Sequence, residues 1–267
     1  MLTFDKEYFN IGYLDTLSYK DTFMHRIDPR IKLLTSLAFI LLVISFPKYE
    51  ISKMIPFLVF PVVILSIGDI PLIFILKKLL IVSPFALFVG IFNPILDTAP
   101  MYSIYGVGIS GGWVSYFSII MKFILTISTA LLLIATTSFP GICIALEKLF
   151  VPKILVVQLL FLYRYLFVLA EETMRIVRAR NMRTFGRKGQ GMRVFIQIAG
   201  TLFVRTVERS ERIYHAMCSR GFDGRIRMMK NFKPGFIDII FAVVTITVFV
   251  ILRKYDIAKI LGDLILQ

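Results

Sequence analysis

The sequence predicts an all-α membrane protein, with about five transmembrane helices and a set of long cytoplasmic helices, on three observations. The 267 residues are 57% hydrophobic and 18% charged, with a mean hydropathy of +0.80. A soluble domain carries roughly a quarter charged residues. Apolar runs of near-bilayer length recur along the chain. The net charge of +14, from 31 Lys and Arg against 17 Asp and Glu, is concentrated late in the sequence, between Arg175 and Lys233. A basic block on an apolar chain admits two readings, a nucleic-acid surface or a basic cytoplasmic face.

The runs lie at 31–46, 54–67, 79–96, 113–137, 154–170 and 236–252, with a weaker one at 194–204. A helix needs roughly 20 apolar residues to cross a bilayer core, fewer where flanking side chains snorkel. Ahead of the first run, Asp28 suits an N-cap and Pro29 the first helical position, while Arg30 and Lys32 are expected to reach the inner headgroups. In the second, Pro56 and Pro61 remove backbone donors and predict a kink or a break. Segment 97–112 contains Pro100, several glycines and no Lys or Arg, which reads as a turn region. Lys122 falls inside the fourth run, where a charge must be paired, contact another subunit or reach an interface. Segment 138–153, bounded by Pro140 and Pro152 and carrying Glu147 and Lys148, reads as a short amphipathic surface helix. Asp238, at the start of the last run, is expected at the inner boundary.

Positive charge concentrates in short cytoplasmic loops, so the uncharged-by-cation segment 97–112 belongs outside. The N-terminus then falls inside. A full crossing at 154–170 would export Arg175, Arg178, Arg180, Arg183, Arg187, Lys188 and Arg193, so 154–232 is expected to stay on the cytoplasmic side. The resulting division is 1–30 cytoplasmic, 31–137 four transmembrane helices, 138–233 a cytoplasmic basic domain, and 234–267 the last span and C-terminus. Six or seven spans remain open as alternatives. The first 23 residues lack an apolar stretch, so no cleavable signal peptide is expected.

The basic domain contains an internal repeat. At an offset of 37 residues Glu171 matches Glu208, Arg175 Arg212, Ile176 Ile213, Ala179 Ala216, Arg183 Arg220 and Phe185 Phe222. Positions 171, 175, 179 and 183 lie along one side of a helix, as do 208, 212, 216 and 220. Each copy therefore reads as a helix with a small residue, Ala179 or Ala216, one turn before an arginine near its end. Gly221 fits the position that stops the second helix. Glu171 with Arg175 and Glu208 with Arg212 have the spacing of supporting ion pairs. An arginine on such a tip can pair bidentately with a carboxylate in an acidic partner groove.

No constellation supports catalysis. Cys143 and Cys218 form no Cys-x-x-Cys pattern, and His25 and His215 are the only histidines and lie far apart, so neither a disulfide framework nor a metal site is expected. Gly186-Arg187-Lys188-Gly189-Gln190-Gly191 lacks the ending of a phosphate loop and reads as a connector. An intramembrane enzyme would need more than Lys122 and Asp238 within its spans. A nucleic-acid binder would present a basic and aromatic platform rather than arginines placed one turn after a small residue.

Three stretches resemble a known family: His25-Arg26-Ile27-Asp28-Pro29-Arg30-Ile31-Lys32; Tyr163-Arg164-Tyr165 followed by Glu171-Glu172; and Glu208-Arg209-Ser210-Glu211-Arg212 running into Ala216-Met217-Cys218-Ser219-Arg220-Gly221-Phe222-Asp223-Gly224. They resemble the transmembrane T component of energy-coupling factor (ECF) transporters, and among these the cobalt-type CbiQ members, from about Phe4 to the last span. The resemblance implies a non-catalytic, multi-pass subunit of the cell membrane without a cofactor. It would join a substrate-binding S component, CbiM-like, to two cytoplasmic ABC-type ATPases. Two coupling helices would each dock an Ala-Arg-Gly motif in an ATPase groove. The second motif falls on Ser219-Arg220-Gly221, with Ser for Ala. The first falls on Met182-Arg183-Thr184, which keeps only the arginine, or on Ala179-Arg180-Asn181; the 37-residue offset selects Arg183, with Arg180 in reserve. The implied cargo is cobalt, with nickel or a vitamin as alternatives, and no nucleic acid is implied.

Overall fold

The computed structural model describes residues 16–96, 100–104, 107–183, 191–224 and 235–255. Their elements follow in order: α1 (Phe23–Arg26), α2 (Pro29–Ile44), a 3₁₀ helix (Ser52–Leu58), α3 (Val59–Ile67), α4 (Leu72–Gly90), α5 (Phe92–Leu96), strands β1 (Pro100–Ile104) and β2 (Val107–Ser110), α6 (Gly111–Thr136), α7 (Phe139–Lys148), α8 (Lys153–Arg183), α9 (Met192–Ser219) and α10 (Phe236–Lys254). This is the helical membrane architecture that the composition requires. By length and apolarity four described helices can cross a bilayer: Leu72–Pro94, Gly111–Thr136, Lys153–Arg180 and Phe236–Lys254. The Ser52–Ile67 stretch and the 16 residues of α2 fall short of that length.

The chain divides into two compact units, one drawn from Leu14–Ile142 and Phe232–Gln267, the other from Cys143–Asn231. In the first, α6 touches α2, α3, α4, α5 and the hairpin. Phe39, Phe57 and Phe249 are buried at the centre of one apolar cluster with Val43, Phe46, Met54 and Leu125. The Phe39 ring stacks on Phe60 at 4.7 Å, and Phe60 meets Phe249 edge-on at 4.9 Å. A second cluster joins Met24, Ile27, Ile64, Ile70, Ile75, Leu132 and Ala135. Leu76, Leu80, Phe85 and Phe88 of α4 face outward, as side chains solvated by lipid do.

Prolines shape the span region as their missing donors dictate. Pro56 lies in the 3₁₀ helix, and regular α-helix begins only at Val59. Pro84 sits inside α4 and cannot donate to the carbonyl of Leu80; the Ser83 hydroxyl donates to that oxygen instead, at 2.9 Å.

Three sequence expectations are revised, and one left open is filled in. The third apolar run starts at Leu72 rather than 79, because Lys77 and Lys78 are carried within α4; an apolar window ends at a charge, whereas a helix tolerates one. Segment 97–112 contains a hairpin, with Tyr102 opposite Ile109 and Ile104 opposite Val107, so its apolar residues pair across strands where glycines suggested only turns. Lys32 does not snorkel: it is buried and its Nζ donates to the Thr136 carbonyl at 2.8 Å. That contact joins the start of α2 to the end of α6. Lys122 is paired within the fold: its Nζ donates to the Phe46 carbonyl at 2.6 Å.

The start of α2 is otherwise as expected. Asp28 caps it by accepting from the Arg30 amide at 2.9 Å, with Pro29 in the first turn. The Asp28 amide donates to Asp238 Oδ1 at 3.1 Å, and the Gly235 amide donates to Asp238 Oδ2 at 2.7 Å. One buried carboxylate thus ties the starts of α2 and α10 together.

Candidate partner-docking helix ends

In the second unit α8 and α9 run antiparallel. The Arg205 guanidinium pairs with the Glu172 carboxylate at 3.0 Å, and the Phe222 ring packs on Phe161 at 6.2 Å, so residue numbers rise along one helix as they fall along the other. The sequence favours this local structure through long stretches without internal proline or glycine in α8 and a single glycine, Gly200, in α9.

The end of α9 is a six-residue cap built around Gly221. Gly221 N–H donates to the Cys218 carbonyl at 3.0 Å, and Phe222 N–H reaches back to the Met217 carbonyl at 3.1 Å, the two bonds of a Schellman motif. It requires the left-handed backbone that Gly221 adopts at φ 78°, open to glycine without penalty. Ser219 is the last helical residue, and its hydroxyl folds back onto the His215 carbonyl at 2.9 Å. Arg220 is the cap residue itself, exposed with its guanidinium at the tip, and Ala216 lies exposed one turn before it.

Arg183 is the last residue of α8 and is exposed; Ala179 and Arg180 are half-buried in the preceding turn. Arg183, the residue that the repeat offset selects, is thus the more exposed of the two arginines at this end. Both arginines sit where a helix presents its unpaired carbonyls, the end that favours positive charge. Thr184 and the connector at residues 184–190 lie outside the described residues.

The structure does not bring Arg183 and Arg220 together. Where the helices face each other they enclose a cleft of about 310 Å³, lined by Val168, Leu169 and Glu172 from α8 and by Arg205, Thr206, Glu208, Arg209 and Arg212 from α9. Three of these positions are related by the 37-residue offset: 168 to 205, 169 to 206, and 172 to 209. The two copies therefore face one another about a local pseudo-two-fold. Each arginine tip lies eleven residues beyond 172 or 209, about 16 Å of helix at 1.5 Å per residue. The tips are held at opposite ends of the pair.

Sequence reasoning missed the cleft. Glu208 and Arg212 form no ion pair with each other among the described residues; the pair that forms is Glu172 with Arg205, across the helices. Applying the repeat offset to every position, rather than to identities alone, would have indicated the facing residues.

The comparisons with known proteins now decide the family. Residues 20–231 match the family model described as cobalt transport protein, CbiQ. The chain belongs to the CbiQ family. It is a transmembrane T component of the ECF transporter type, with 30% identity to the energy-coupling factor transporter transmembrane protein EcfT of Bacillus selenitireducens over 76% of this chain and 81% of that protein. The cobalt transport protein CbiQ of Salmonella typhimurium is 26% identical over 75% of this chain and 92% of that one. A third relative, from Methanocorpusculum labreanum, bears the name of a fused cobalt transport protein, CbiMQ, and is 33% identical over 33% of this chain and 15% of its own length. The CbiQ match covers the α1–α7 region and the whole α8–α9 pair, so the two arginine tips fall within the shared part of the family.

Proposed function

We propose that this chain couples ATP hydrolysis by two cytoplasmic ABC-type ATPases to a substrate-binding S component in the cell membrane, and that the cargo is cobalt. The observation that carries the reading is the pair of repeat-related helix ends, each finishing in an exposed arginine and held at opposite ends of an antiparallel pair. Two similar tips about 33 Å apart along the helices suit two copies of one acidic groove. They do not suit a single pocket. An arginine buried against a carboxylate at such an interface is worth about 2–5 kcal/mol when its partner is left unpaired. Closure of the ATPases would carry Arg183 and Arg220 with their grooves, and α8 and α9 would pass the displacement to the S component.

In this reading α8 and α9 lie on the cytoplasmic side together with the N-terminus. The apolar half of α8 meets the requirement for a span, yet a crossing there would place Arg175, Arg178, Arg180 and Arg183 outside, against the positive-inside tendency. Cobalt follows the family description and the name of the fused relative. Nickel or a vitamin would be served by the same coupling machinery, because the EcfT relative carries no substrate in its name.

Arg220→Glu should leave the chain in the membrane and abolish copurification with the ATPases; undiminished assembly would overturn the docking assignment. In a Cys218→Ser background, a cysteine placed at residue 189 should react with an impermeant maleimide only from the cytoplasmic side.

A further inference from the structure

We propose that the cleft between α8 and α9 binds the phosphodiester headgroup of an anionic membrane phospholipid, with Arg209 and Arg212 as its ligands. Three arginines and two carboxylates line the cleft. Glu172 is engaged by Arg205 at 3.0 Å, whereas Arg209 and Arg212 have no ion pair among the described residues. Spaced three apart on a helix, these two guanidinia lie on one face and present several N–H donors to a phosphate. The volume of about 310 Å³ lies at the lower end of small-molecule sites, roughly 300–1,000 Å³.

The pseudo-two-fold explains why the site is anionic in preference. Under the 37-residue offset the counterpart of Glu172 is Arg209, and the counterpart of Arg205 is Val168. One half of the facing surface therefore holds a Glu–Arg pair, while the other holds an arginine opposite an aliphatic side chain. The negative charge missing at position 168, opposite Arg209, is what a phosphate supplies, and Val168 offers an apolar wall to the chain attached to it.

The position along α8 points to a lipid rather than a free ion. The cleft lies where the apolar half of α8 ends and its charged half begins, which is the level of headgroups if α8 lies against the inner leaflet as proposed above; the inference rests on that placement. Exposed Leu162 and Leu166 precede the cleft on α8, and exposed Phe203, Val204 and Val207 flank it on α9, so acyl chains find apolar surface beside the guanidinia. Basic pockets at the cytoplasmic face have this combination of cations and adjoining hydrocarbon contact.

The full chain, reconstituted in nanodiscs of mixed phosphatidylglycerol and phosphatidylcholine and released for native mass spectrometry, should retain phosphatidylglycerol preferentially. Arg209→Gln with Arg212→Gln should reduce that preference about tenfold, while Arg175→Gln, a charge loss outside the cleft, should leave it intact. Val168→Glu supplies the absent carboxylate opposite Arg209 without removing an arginine, and should abolish the preference in a folded protein. Preference retained in Val168→Glu, or lost equally in Arg175→Gln, overturns the site. Displacement of the lipid by millimolar inorganic phosphate would assign the cleft to a free ion and overturn the lipid. ATPase copurification should be unchanged in Val168→Glu, which separates this inference from the coupling role of Arg183 and Arg220.

Discussion

Lys122 Nζ sits 2.6 Å from the carbonyl oxygen of Phe46, just past the C-terminal end of α2. Arg253 reaches the same end, donating to Ser45 Oγ at 3.1 Å and lying 5.3 Å from the Phe46 ring. Two cations from α6 and α10 thus face the negative pole of α2, Lys122 donating to a carbonyl that the helix's own turns cannot satisfy and Arg253 to the Ser45 hydroxyl beside it. A lysine inside a span is here a helix cap delivered from a neighbouring helix.

Replacing Lys122 with methionine keeps most of the aliphatic stem and removes the donor. The stranded carbonyl should cost about 1–3 kcal/mol, lowering the thermal unfolding midpoint of the detergent-solubilised chain by several degrees. An unchanged midpoint would mean that α2 finds its cap elsewhere.

Gly221 should tolerate substitution according to backbone preference and not size, because no atom lies within 4 Å of the position a Cβ would occupy, while φ is 78°. Asn should be accepted best, Ala should cost about 1 kcal/mol, and Val more. Since the cap aims Arg220, binding to isolated ATPases, followed by surface plasmon resonance, should weaken in the same order.

His25 predicts an acid-sensitive junction. Its Nδ1 lies 2.7 Å from the Thr22 hydroxyl, and its Nε2–H faces the carbonyls of Leu17 at 3.0 Å and Ala135 at 3.3 Å, a pattern that the neutral Nε2–H form completes with the hydroxyl as donor. Burial, with Lys32 and Lys20 nearby, holds its pKa below the ordinary 6.5. The unfolded chain therefore binds a proton at a pH where the folded chain does not, and stability falls as pH drops below about 6.5. Melting curves at pH 7.5 and 5.5 should separate for the native chain and converge for His25→Gln.

The two thiols should differ sharply in reactivity. Cys143 is buried, and burial pushes its thiol up to about 11, so at pH 7.5 only about one part in a few thousand is thiolate. Cys218 is exposed, two residues before Arg220. Maleimide should modify Cys218 within minutes and spare Cys143, and bound ATPases should slow the labelling of Cys218. Equal labelling of both would contradict the packing of α7.

What could be read in advance was local. Asp28, Pro29 and Gly221 act through bonds to residues two to four positions away, so their roles follow from spacing alone. Lys32 and Lys122 act on carbonyls 104 and 76 residues distant; hydropathy registers such charges only as interruptions. Glu172 lies in a stretch that resembles the family, yet its partner Arg205 lies 33 residues on, beyond any helical periodicity. The hairpin at β1 and β2 was missed for a related reason: alternation over four or five residues is weak beside the glycines that flank it.

The facing of α8 and α9 at repeat-related positions has a mechanical corollary. A pivot with eleven residues on either side is a balance with equal arms, so rigid rotation about it displaces both arginine tips by the same distance in opposite directions. Neither arm gains leverage over the other. Whatever pushes on one tip is felt undiminished at its twin, and lengthening one helix by a turn would unbalance the pair without altering a single contact at the pivot.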